Sequence, residues 1–315
     1  MLIEELRPKT LDEVIGQELT IKILKGFIKK GKLPHMLFYG KTGTGKTTSA
    51  IALARDFYGE DWQDYFMEKN ASDDRRLQDV RTKVKDVAKI TVLDKPFKIL
   101  FLDEVDSMDY LGQNALRRIM EKYSDRTVFI LSCNYKNKLI EPLRNRCVDF
   151  HFHQLSLDEL QEYIKRVCNE NNIDIKPKAI EALAEASKGS VRTILSTIEK
   201  FIATDIKEVT KRTVENYTNK ITDKDLITLI SLTKQKQISQ VDAYIDNVIL
   251  AKGYEPQEIL EKMRQFIKET KLIYHKDKPK ILQLLGDIDY RISQGATPEI
   301  QLKTFFCYLI YKIRK

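Results

Sequence analysis

The first half of the chain alternates short apolar runs with amphipathic stretches. Five of these runs are rich in β-branched and aromatic residues and are bounded by turn-forming residues, which is typical of strands. Near-continuous apolar strands that alternate with helices indicate a parallel sheet covered on both faces. We therefore predict an α/β domain with a five-stranded parallel sheet and helices on both faces. The predicted strands span residues 35–40, 65–70, 97–104, 127–134 and 148–152.

After about residue 155 the strand signals stop, and the pattern becomes helical. Ser156 is followed three residues later by Glu159, which is a capping-box start. The next apolar stretch ends at Lys188 and Gly189, and another helical stretch begins directly after them. We therefore predict three short helices within residues 156–204 that form one small helical unit.

The remainder of the chain is also predicted to be helical. Residues 256–270 show apolar positions at helical spacing. Thr297 is a candidate cap with Pro298 at the first helical position, and the following helix is apolar on nearly every side. That predicts burial in a bundle or against another subunit. The apolar positions of the first stretch are Ile259, Leu260, Met263, Phe266 and Ile267.

Length and composition agree with several soluble domains. A chain of 315 residues is too long for one typical core. The pattern divides it into an α/β domain at 1–155, a small helical domain at 156–218 and a second helical domain at 219–315. A 42% apolar and 32% charged composition is typical of a soluble globular protein. The chain lacks both a run long enough to cross a membrane and an apolar leader, so we predict a cytoplasmic protein without a membrane partner.

The net charge and the positions of the cysteines exclude few kinds of ligand or partner. The net charge of +8 permits binding to a polyanion but is equally compatible with a basic solvated surface. The cysteines are Cys133, Cys147, Cys168 and Cys307, and none forms a CxxC pair. This spacing argues against zinc and fits a reducing compartment.

The segment "GKTGTGKT" at 40–47 matches a phosphate-binding loop in full and lies between a predicted strand and a predicted helix. Its glycines let backbone N–H groups surround phosphate oxygens, and the helix N-terminus favours an anion. Lys46 is expected to reach the β- and γ-phosphates of ATP, and the Thr47 hydroxyl to bind Mg²⁺. The predicted nucleotide-binding residues of this segment are Gly40, Lys41, Thr42, Gly43, Thr44, Gly45, Lys46, Thr47 and Thr48.

Two further strands are predicted to end at the same edge with polar residues. Asp103 and Glu104 follow one apolar strand, at the edge where ligands bind in open α/β folds. Asp103 would hold Mg²⁺, and Glu104 would polarise the water that attacks the γ-phosphate. Asn134 closes another strand, and its amide could bond either the attacking water or the γ-phosphate.

Several short segments occur in an order that resembles one family. The chain contains "LRPKTLDEVIGQE", "NASDDR", "LDEVD", "QNALRRIME", "LSCN", "RNRC" and "GSVRTIL". Together with the phosphate-binding loop, they resemble the small subunits of replication factor C, the sliding-clamp loader, within the AAA+ ATPases. The resemblance covers residue 5 to about 200 at the level of motifs, and the helical remainder fits the family's collar more loosely.

The sequence departs from this family's pattern at several positions. The family usually has two prolines where this chain has Lys41 and Thr42, and it usually has serine where this chain has Asn145. Val105 replaces an alanine, and a tryptophan before "LRPKT" is absent. None of these changes removes a group needed for hydrolysis, although Lys41 could alter nucleotide affinity.

The resemblance implies roles for residues that the pattern alone leaves open. Arg146 would be an arginine finger directed at the γ-phosphate of a neighbouring subunit, where such a cation raises the rate by about 10³–10⁵. Arg192 would contact the γ-phosphate of its own subunit, although the pattern alone favours a solvated helix residue. Residues beside the adenine would be Arg7, Pro8, Val14 and Ile15.

DNA contacts are also implied by the resemblance. Arg81 and Lys85 lie four residues apart and therefore on one face of a predicted helix, and Arg75 lies less than one turn out of phase with Arg81. Lys138, which follows Asn134, is a second position of this kind. Such a face is usually only solvated. The resemblance instead implies contacts to the phosphate backbone of primed double-stranded DNA, without sequence preference.

The function implied is that of a DNA-stimulated ATPase that hydrolyses ATP to ADP and phosphate. Copies of the chain would form a ring-like assembly with a larger replication factor C subunit, open the sliding clamp (PCNA) and load it onto primed DNA. Hydrolysis would then trigger release. Alternatives are a AAA+ DNA motor such as a branch-migration helicase, a bacterial-type clamp-loader subunit, and a nucleotide-binding scaffold that does not hydrolyse ATP.

Overall fold

The computed structural model describes residues 2–71, 84–90, 95–218, 223–250, 256–270 and 272–312. The chain divides into two compact units, Met1–Lys211 and Arg212–Lys315. All residues predicted to bind nucleotide lie in the first unit.

The first unit is built on a five-stranded sheet whose strands are all parallel, in the order β2-β3-β4-β1-β5. All five predicted strands are confirmed, with ends that differ by at most one residue. Their bounds are Met36–Tyr39 (β1), Phe66–Asn70 (β2), Lys98–Asp103 (β3), Thr127–Cys133 (β4) and Val148–His151 (β5).

Helices cover both faces of this sheet, as predicted. Met36 and Phe38 of β1 pack in one core, whereas Leu37 packs in the other. Alternate side chains of a strand point to opposite faces, so both faces are buried. The α-helices of the sheet region are Leu2–Glu5 (α1), Glu18–Lys29 (α2), Lys46–Tyr58 (α3), Trp62–Tyr65 (α4), Lys85–Lys89 (α5), Tyr110–Tyr123 (α6) and Glu141–Arg144 (α7).

The register of the parallel strands brings the predicted site residues to one edge. Tyr39 lies opposite Cys133, so the loop after β1 and Asn134 after β4 are neighbours. Thr127–Cys133 also pairs with β3, which ends in Asp103. The carboxyl ends of three adjacent strands therefore meet where ligands bind in open α/β sheets.

Three helices follow the sheet, at Leu157–Glu170 (α8), Pro177–Ser187 (α9) and Val191–Ala203 (α10). The predicted capping box is confirmed, because the Ser156 side chain accepts from the Glu159 N–H and the Glu159 carboxylate accepts from the Ser156 N–H. The prediction that strands stop near residue 155 was wrong. Asp174–Ile175 (β6) and Glu208–Val209 (β7) form a parallel pair, and two-residue strands are too short to show an alternating pattern.

The second unit packs helices around an apolar core. The predicted apolar face at 259–267 is buried, with Phe266 only partly so. The predicted burial of the last helix in a bundle is confirmed for Phe305, Phe306 and Leu309, whereas Ile300 is 60% exposed and Tyr308 39% exposed. The helices after α10 are Lys211–Tyr217 (α11), Asp223–Lys234 (α12), Ile238–Tyr244 (α13), Pro256–Glu269 (α14), Lys278–Ser293 (α15) and Pro298–Lys312 (α16).

Among the helices of the described ranges, none combines the length and the apolar character that a membrane span requires.

Candidate functional site

A cavity of about 410 Å³ lies at the carboxyl edge of the sheet in the first unit. The phosphate-binding loop, the end of β3 and the residue after β4 form one side. The N-terminal segment and the start of α10 form the other side. Predicted residues that line it are Arg7, Pro8, Val14, Ile15, Thr42, Gly43, Thr44, Gly45, Lys46, Thr47, Thr48, Asp103, Glu104, Asn134 and Arg192.

The loop between β1 and α3 adopts a conformation that needs glycine at two positions. Gly45 has φ +96° and directly precedes Lys46, the first residue of α3. Gly43 has φ +80°, and a Cβ atom there would lie 2.3 Å from the Ser190 hydroxyl oxygen. The Val191 N–H donates to the Gly43 carbonyl at 3.3 Å. The loop therefore opens α3 and also contacts the start of α10.

Lys46 is only 8% exposed, yet its ammonium group is fully hydrogen-bonded. It donates to the Gly40 carbonyl at 2.7 Å, to the Lys41 carbonyl at 3.0 Å and to Asn134 Oδ1 at 3.1 Å. Gly40 and Lys41 thus act on the site through their carbonyl groups and do not line the cavity. Burial lowers the pKa of Lys46, and the Asp103 carboxylate opposes that shift.

Thr47 and Asp103 place oxygen atoms side by side in the cavity. The Thr47 hydroxyl donates to Asp103 Oδ2 at 3.1 Å, so its lone pairs remain available to a cation. Asp103 Oδ1 accepts from the Glu104 N–H at 2.9 Å. Glu104 has φ +55°, in a region that non-glycine residues rarely adopt, and its side chain is exposed. This turn separates the two carboxylates, so that only Asp103 lies against Thr47.

Asn134 is held on both its side chain and its backbone. Its Oδ1 accepts from Lys46 and also from the Thr42 hydroxyl at 3.3 Å. Its backbone N–H donates to Asp106 Oδ2 at 3.3 Å, and the Tyr135 N–H donates to the same oxygen at 3.1 Å. The sequence analysis missed Asp106, although it belongs to the "DEVD" segment, because its partners lie far along the chain.

Gln113 is a second residue that the sequence analysis missed. Its buried side chain donates to the Met108 carbonyl at 3.1 Å and to the Lys138 carbonyl at 3.2 Å, and it accepts from the Ile140 N–H at 2.8 Å. It therefore connects the segment after β3 to the segment after β4. Gln113 begins the "QNALRRIME" segment, which carries the family resemblance but was given no role of its own.

The cavity also contains residues without a predicted role. Glu68 of β2 lines it, and burial together with the nearby Asp103 carboxylate raises the pKa of Glu68. Tyr163 and Arg166 of α8 line the opposite side. These positions carry no motif, because the cavity forms only when α8 and α10 pack beside the sheet. Other lining residues are Ile3, Leu6, Glu13, Leu155, Val191 and Leu195.

Arg146 does not line this cavity. Its exposed guanidinium pairs with Glu121 of α6, and Glu121 also pairs with Arg117 at 2.5 Å. Arg192, in contrast, is the second residue of α10 and lines the cavity. The structure therefore places one predicted arginine in the site of its own chain and the other outside it.

The residues predicted to contact DNA are only partly described. Arg75 and Arg81 lie outside the described residues. Lys85 lines a groove of about 330 Å³ together with Arg118 and Lys122 of α6. Lys138 is exposed, with its ammonium 4.9 Å from the centre of the Tyr135 ring.

All four cysteines are free thiols, and burial raises the pKa of Cys133, Cys147 and Cys168 to about 12. Over the described ranges, no three His, Cys, Asp or Glu side chains come close enough together to hold a metal ion. A cation held by Thr47 and Asp103 would therefore need further ligands from phosphate or water. In protein sites Mg²⁺ usually keeps several of its bound waters.

Two family models match the chain. The model of the ATPase family associated with various cellular activities (AAA) matches residues 36–155, and that of the replication factor C C-terminal domain matches residues 221–308. The chain is 36% identical over 301 residues to the replication factor C small subunit of Methanococcus maripaludis, covering 95% of each chain. It is 37% identical over 311 residues to that of Archaeoglobus fulgidus, covering 98% of this chain and 96% of the relative.

A solved structure gives an independent view of the fold. The Thermotoga maritima RuvB Holliday junction branch migration motor aligns with a TM-score of 0.56 and 21% identity, covering 79% of this chain and 86% of that chain. At this identity the likeness concerns the fold alone.

The parallel sheet, the loop that opens α3 and the matched AAA region define an ATPase of the AAA class. More specifically, identity of 36–37% over nearly the whole chain shows that it belongs to the replication factor C small subunit family. Members of this family are clamp loaders of DNA replication, and the matched C-terminal domain agrees with that membership.

Proposed function

We propose that the chain binds ATP with Mg²⁺ in the cavity and hydrolyses it as one subunit of a clamp loader. The observation that carries this proposal is that two hydrogen-bonded pairs, Lys46 with Asn134 and Thr47 with Asp103, line the same cavity. A buried ammonium at the start of a helix suits a polyphosphate. The hydroxyl and carboxylate beside it suit a hard cation.

Each group has a distinct task in this proposal. Lys46 exchanges its carbonyl partners for the β- and γ-phosphates, and Arg192 contacts the γ-phosphate from α10. Thr47 and Asp103 hold Mg²⁺, which neutralises charge on the phosphates when bound. Glu104 acts as the base for the attacking water, which its exposed position beside the cavity permits. Arg7, Val14 and Ile15 enclose the adenine.

Arg146 serves the nucleotide of a neighbouring subunit. Two observations support this role. Arg146 is exposed and does not line the cavity of its own chain, and its partner Glu121 is partly exposed. A cation at a subunit edge can complete a site across a heterologous interface of a ring. The second unit, which contains the predicted collar at 219–315, then provides contacts that hold neighbouring subunits together.

DNA binding and clamp loading complete the proposal. Lys85 and Lys138, together with Arg75 and Arg81, contact the phosphates of primed double-stranded DNA and stimulate hydrolysis. ATP-bound subunits, together with a larger replication factor C subunit, hold the sliding clamp (PCNA) open. Hydrolysis then releases the clamp onto DNA.

The trans role of Arg146 is tested by mixing two inactive variants. In the assembled complex, Lys46→Ala and Arg146→Ala should each reduce DNA-stimulated phosphate release, the latter by about 10³-fold or more. Random mixing of the two in equal amounts should restore about a quarter of the interfaces, because one subunit supplies Lys46 and its neighbour supplies Arg146.

Arg144→Ala is the matched control, since Arg144 lies two residues from Arg146 and also does not line the cavity. It should retain stimulated turnover. Full activity of Arg146→Ala, or no recovery on mixing, would show that the finger assignment is wrong. Strand displacement without a clamp would instead favour a DNA motor, and wild-type assemblies that release no phosphate would favour a non-hydrolysing scaffold.

A further inference from the structure

A short segment at residues 153–155, here called the connecting segment, joins the sheet to the helices that follow it. It lies between the last strand of the sheet, β5, and helix α8. Leu155 of this segment is buried and lines the cavity. His153 and Gln154 are exposed, yet each is bonded to a part of the chain that is distant in sequence.

Gln17 holds one side of the connecting segment. Its side chain is only 4% exposed. Its Nε2 donates to the His153 carbonyl at 2.8 Å, and its Oε1 accepts from the His153 N–H at 3.3 Å. One amide therefore satisfies both backbone groups of a single residue, which fixes the direction of the backbone as well as its distance.

The residues before Gln17 belong to the wall of the cavity. Val14 and Ile15 line it, at the positions proposed to enclose the adenine. Gly16 follows them with φ +67° and packs so closely against Leu155 that a Cβ atom would not fit between them. The wall beside the base is therefore attached to the connecting segment through both Gly16 and Gln17.

Gln154 holds the other side of the connecting segment. Its Nε2 donates to the Lys188 carbonyl, in the turn that precedes α10. Gly189 of this turn has φ +84°, and a Cβ atom there would lie 2.8 Å from the Cβ of Gln154. The turn therefore packs directly on Gln154 and requires glycine at this contact.

This turn determines where α10 begins. Ser190 follows Gly189 and caps the helix, because its hydroxyl accepts from the Thr193 N–H at 3.3 Å. Arg192 is the second residue of α10 and lines the cavity. A shift of the turn would therefore move Arg192 relative to the phosphate-binding loop.

We propose that Gln17 and Gln154 are positioning residues that join the base end of the cavity to its phosphate end. Through the connecting segment they set the position of Arg192 relative to a bound nucleoside triphosphate. Neither glutamine lines the cavity, so both act without contact to the nucleotide. The inference rests on the proposed binding of ATP in this cavity.

The test compares binding of ADP and of a non-hydrolysable ATP analogue, both with Mg²⁺, by calorimetry on the intact chain. Gln154→Met keeps the length of the side chain and removes the donor. Lys188 is exposed, so water can bond its carbonyl instead and the turn should stay folded. The preference for the ATP analogue over ADP should fall by about two- to tenfold, the range of one net hydrogen bond. Affinity for ADP, which lacks the γ-phosphate, should stay unchanged.

A double-mutant cycle with Arg192 separates positioning from a general effect on the fold. Arg192→Ala should itself lower the preference for the ATP analogue. In that background Gln154→Met should have no further effect on the preference, because it acts through the missing guanidinium. If Gln154→Met lowers the preference by the same factor with and without Arg192, the two residues act independently and the inference is wrong.

Gln17→Met tests the other end of the connection. It should lower the preference for the ATP analogue as Gln154→Met does, and it should also weaken ADP, because the wall beside the base loses its attachment. Weaker binding of both nucleotides with an unchanged preference would confine Gln17 to the base and overturn its part in placing Arg192.

His153→Ala is the matched control, since both bonds from Gln17 use only the backbone of His153. It should keep the preference, and a loss there would mean that any substitution in the connecting segment has this effect. A wild-type chain that binds both nucleotides equally well would overturn this inference alone. A wild-type chain that binds neither nucleotide would overturn the proposed function itself.

Discussion

The two units of the chain use buried polar side chains in different ways. In the first unit, such side chains connect segments that are far apart in sequence, as Gln113 does with the residues after β4 and Lys98 does with the end of α5. In the second unit the core is largely apolar, and its buried polar residues bond within or between helices, as Thr233 does with the Leu229 carbonyl of its own helix and Asp225 does with the Tyr244 hydroxyl of the next one. The first arrangement fixes loops, and the second connects only helices.

This difference follows from what each unit has to position. Hydrogen bonds are directional, so a network of them sets the relative positions of loops to within a fraction of an ångström. Apolar contacts are non-directional and tolerate small shifts. A site assembled from the ends of three strands needs the first kind of contact. Substitutions of buried polar groups that connect loops of the first unit should therefore be costly, whereas those of a group bonded only within its own helix, such as Thr233 of the second unit, should be nearly neutral.

The largest effect is expected for Gln113→Met, which keeps the length of the side chain. It leaves the Ile140 N–H without its acceptor and the carbonyls of Met108 and Lys138 without a donor. The free energy of unfolding of the first unit should fall by about 2–3 kcal/mol, because unpaired buried polar groups are costly. Denaturation followed by tryptophan fluorescence measures this, since the single tryptophan, Trp62, packs in the core of the first unit.

Asn114→Met is the matched control for this change. Asn114 is the next residue of the same helix, and its amide donates only to the Tyr110 carbonyl within that helix. Its substitution should change stability by less than about 0.5 kcal/mol. If Asn114→Met lowers the free energy of unfolding as much as Gln113→Met does, replacing any polar residue of this helix is destabilising. The connection between the loops would then not explain the effect of Gln113→Met.

Sequence patterns predict the local parts of this structure well. Strands β1, β3 and β4 are near-continuous apolar runs, and the capping box at Ser156 joins residues only three apart. The residues predicted around the phosphates lie together because they end adjacent parallel strands. In contrast, the Asp106–Asn134 and Gln113–Lys138 contacts join residues 28 and 25 positions apart. No local pattern encodes such pairs, since they depend on how β3, α6 and β4 pack.

The last helix shows a second limit of the pattern. Its apolar residues surround the helix, so their spacing does not specify which face turns inward. Packing against the other helices buries Phe305, Phe306 and Leu309 and leaves Ile300 and Tyr308 exposed. The packing of the helices, and not the spacing of the apolar residues, determines which face of the last helix is buried.

A smaller, pH-dependent effect is expected for Lys98. This fully buried side chain donates to the carbonyls of Val87 and Ile90, the latter at 2.6 Å, at the end of α5. Burial lowers the pKa of Lys98 from its ordinary 10.5 to about 8, with a contribution from nearby Arg126. Between those values the unfolded chain binds the proton and the folded chain does not. The first unit should therefore become more stable as pH rises from about 8 to 10.5.

The gain is measured as a difference between chains, because other groups also titrate in this range. Denaturation of Lys98→Met across the same pH range should lack the increase that the wild-type chain shows. Lys22→Met is the control, since Lys22 is exposed on α2 and should leave the increase intact. Identical pH dependence in wild type and Lys98→Met would mean that Lys98 keeps its proton in the folded state.

The smallest effect is expected for Thr233→Val in the second unit, and it completes the comparison with Gln113. Thr233 is fully buried, but its hydroxyl donates at 2.6 Å to the Leu229 carbonyl, which the helix backbone can itself satisfy. Valine has nearly the same shape and leaves no other group unpaired, so stability should change by less than about 0.5 kcal/mol. Chemical denaturation followed by far-UV circular dichroism detects this. A decrease in the free energy of unfolding of about 2 kcal/mol or more would contradict this expectation. It would mean that removing a buried hydroxyl is costly even where the hydroxyl bonds only within its own helix.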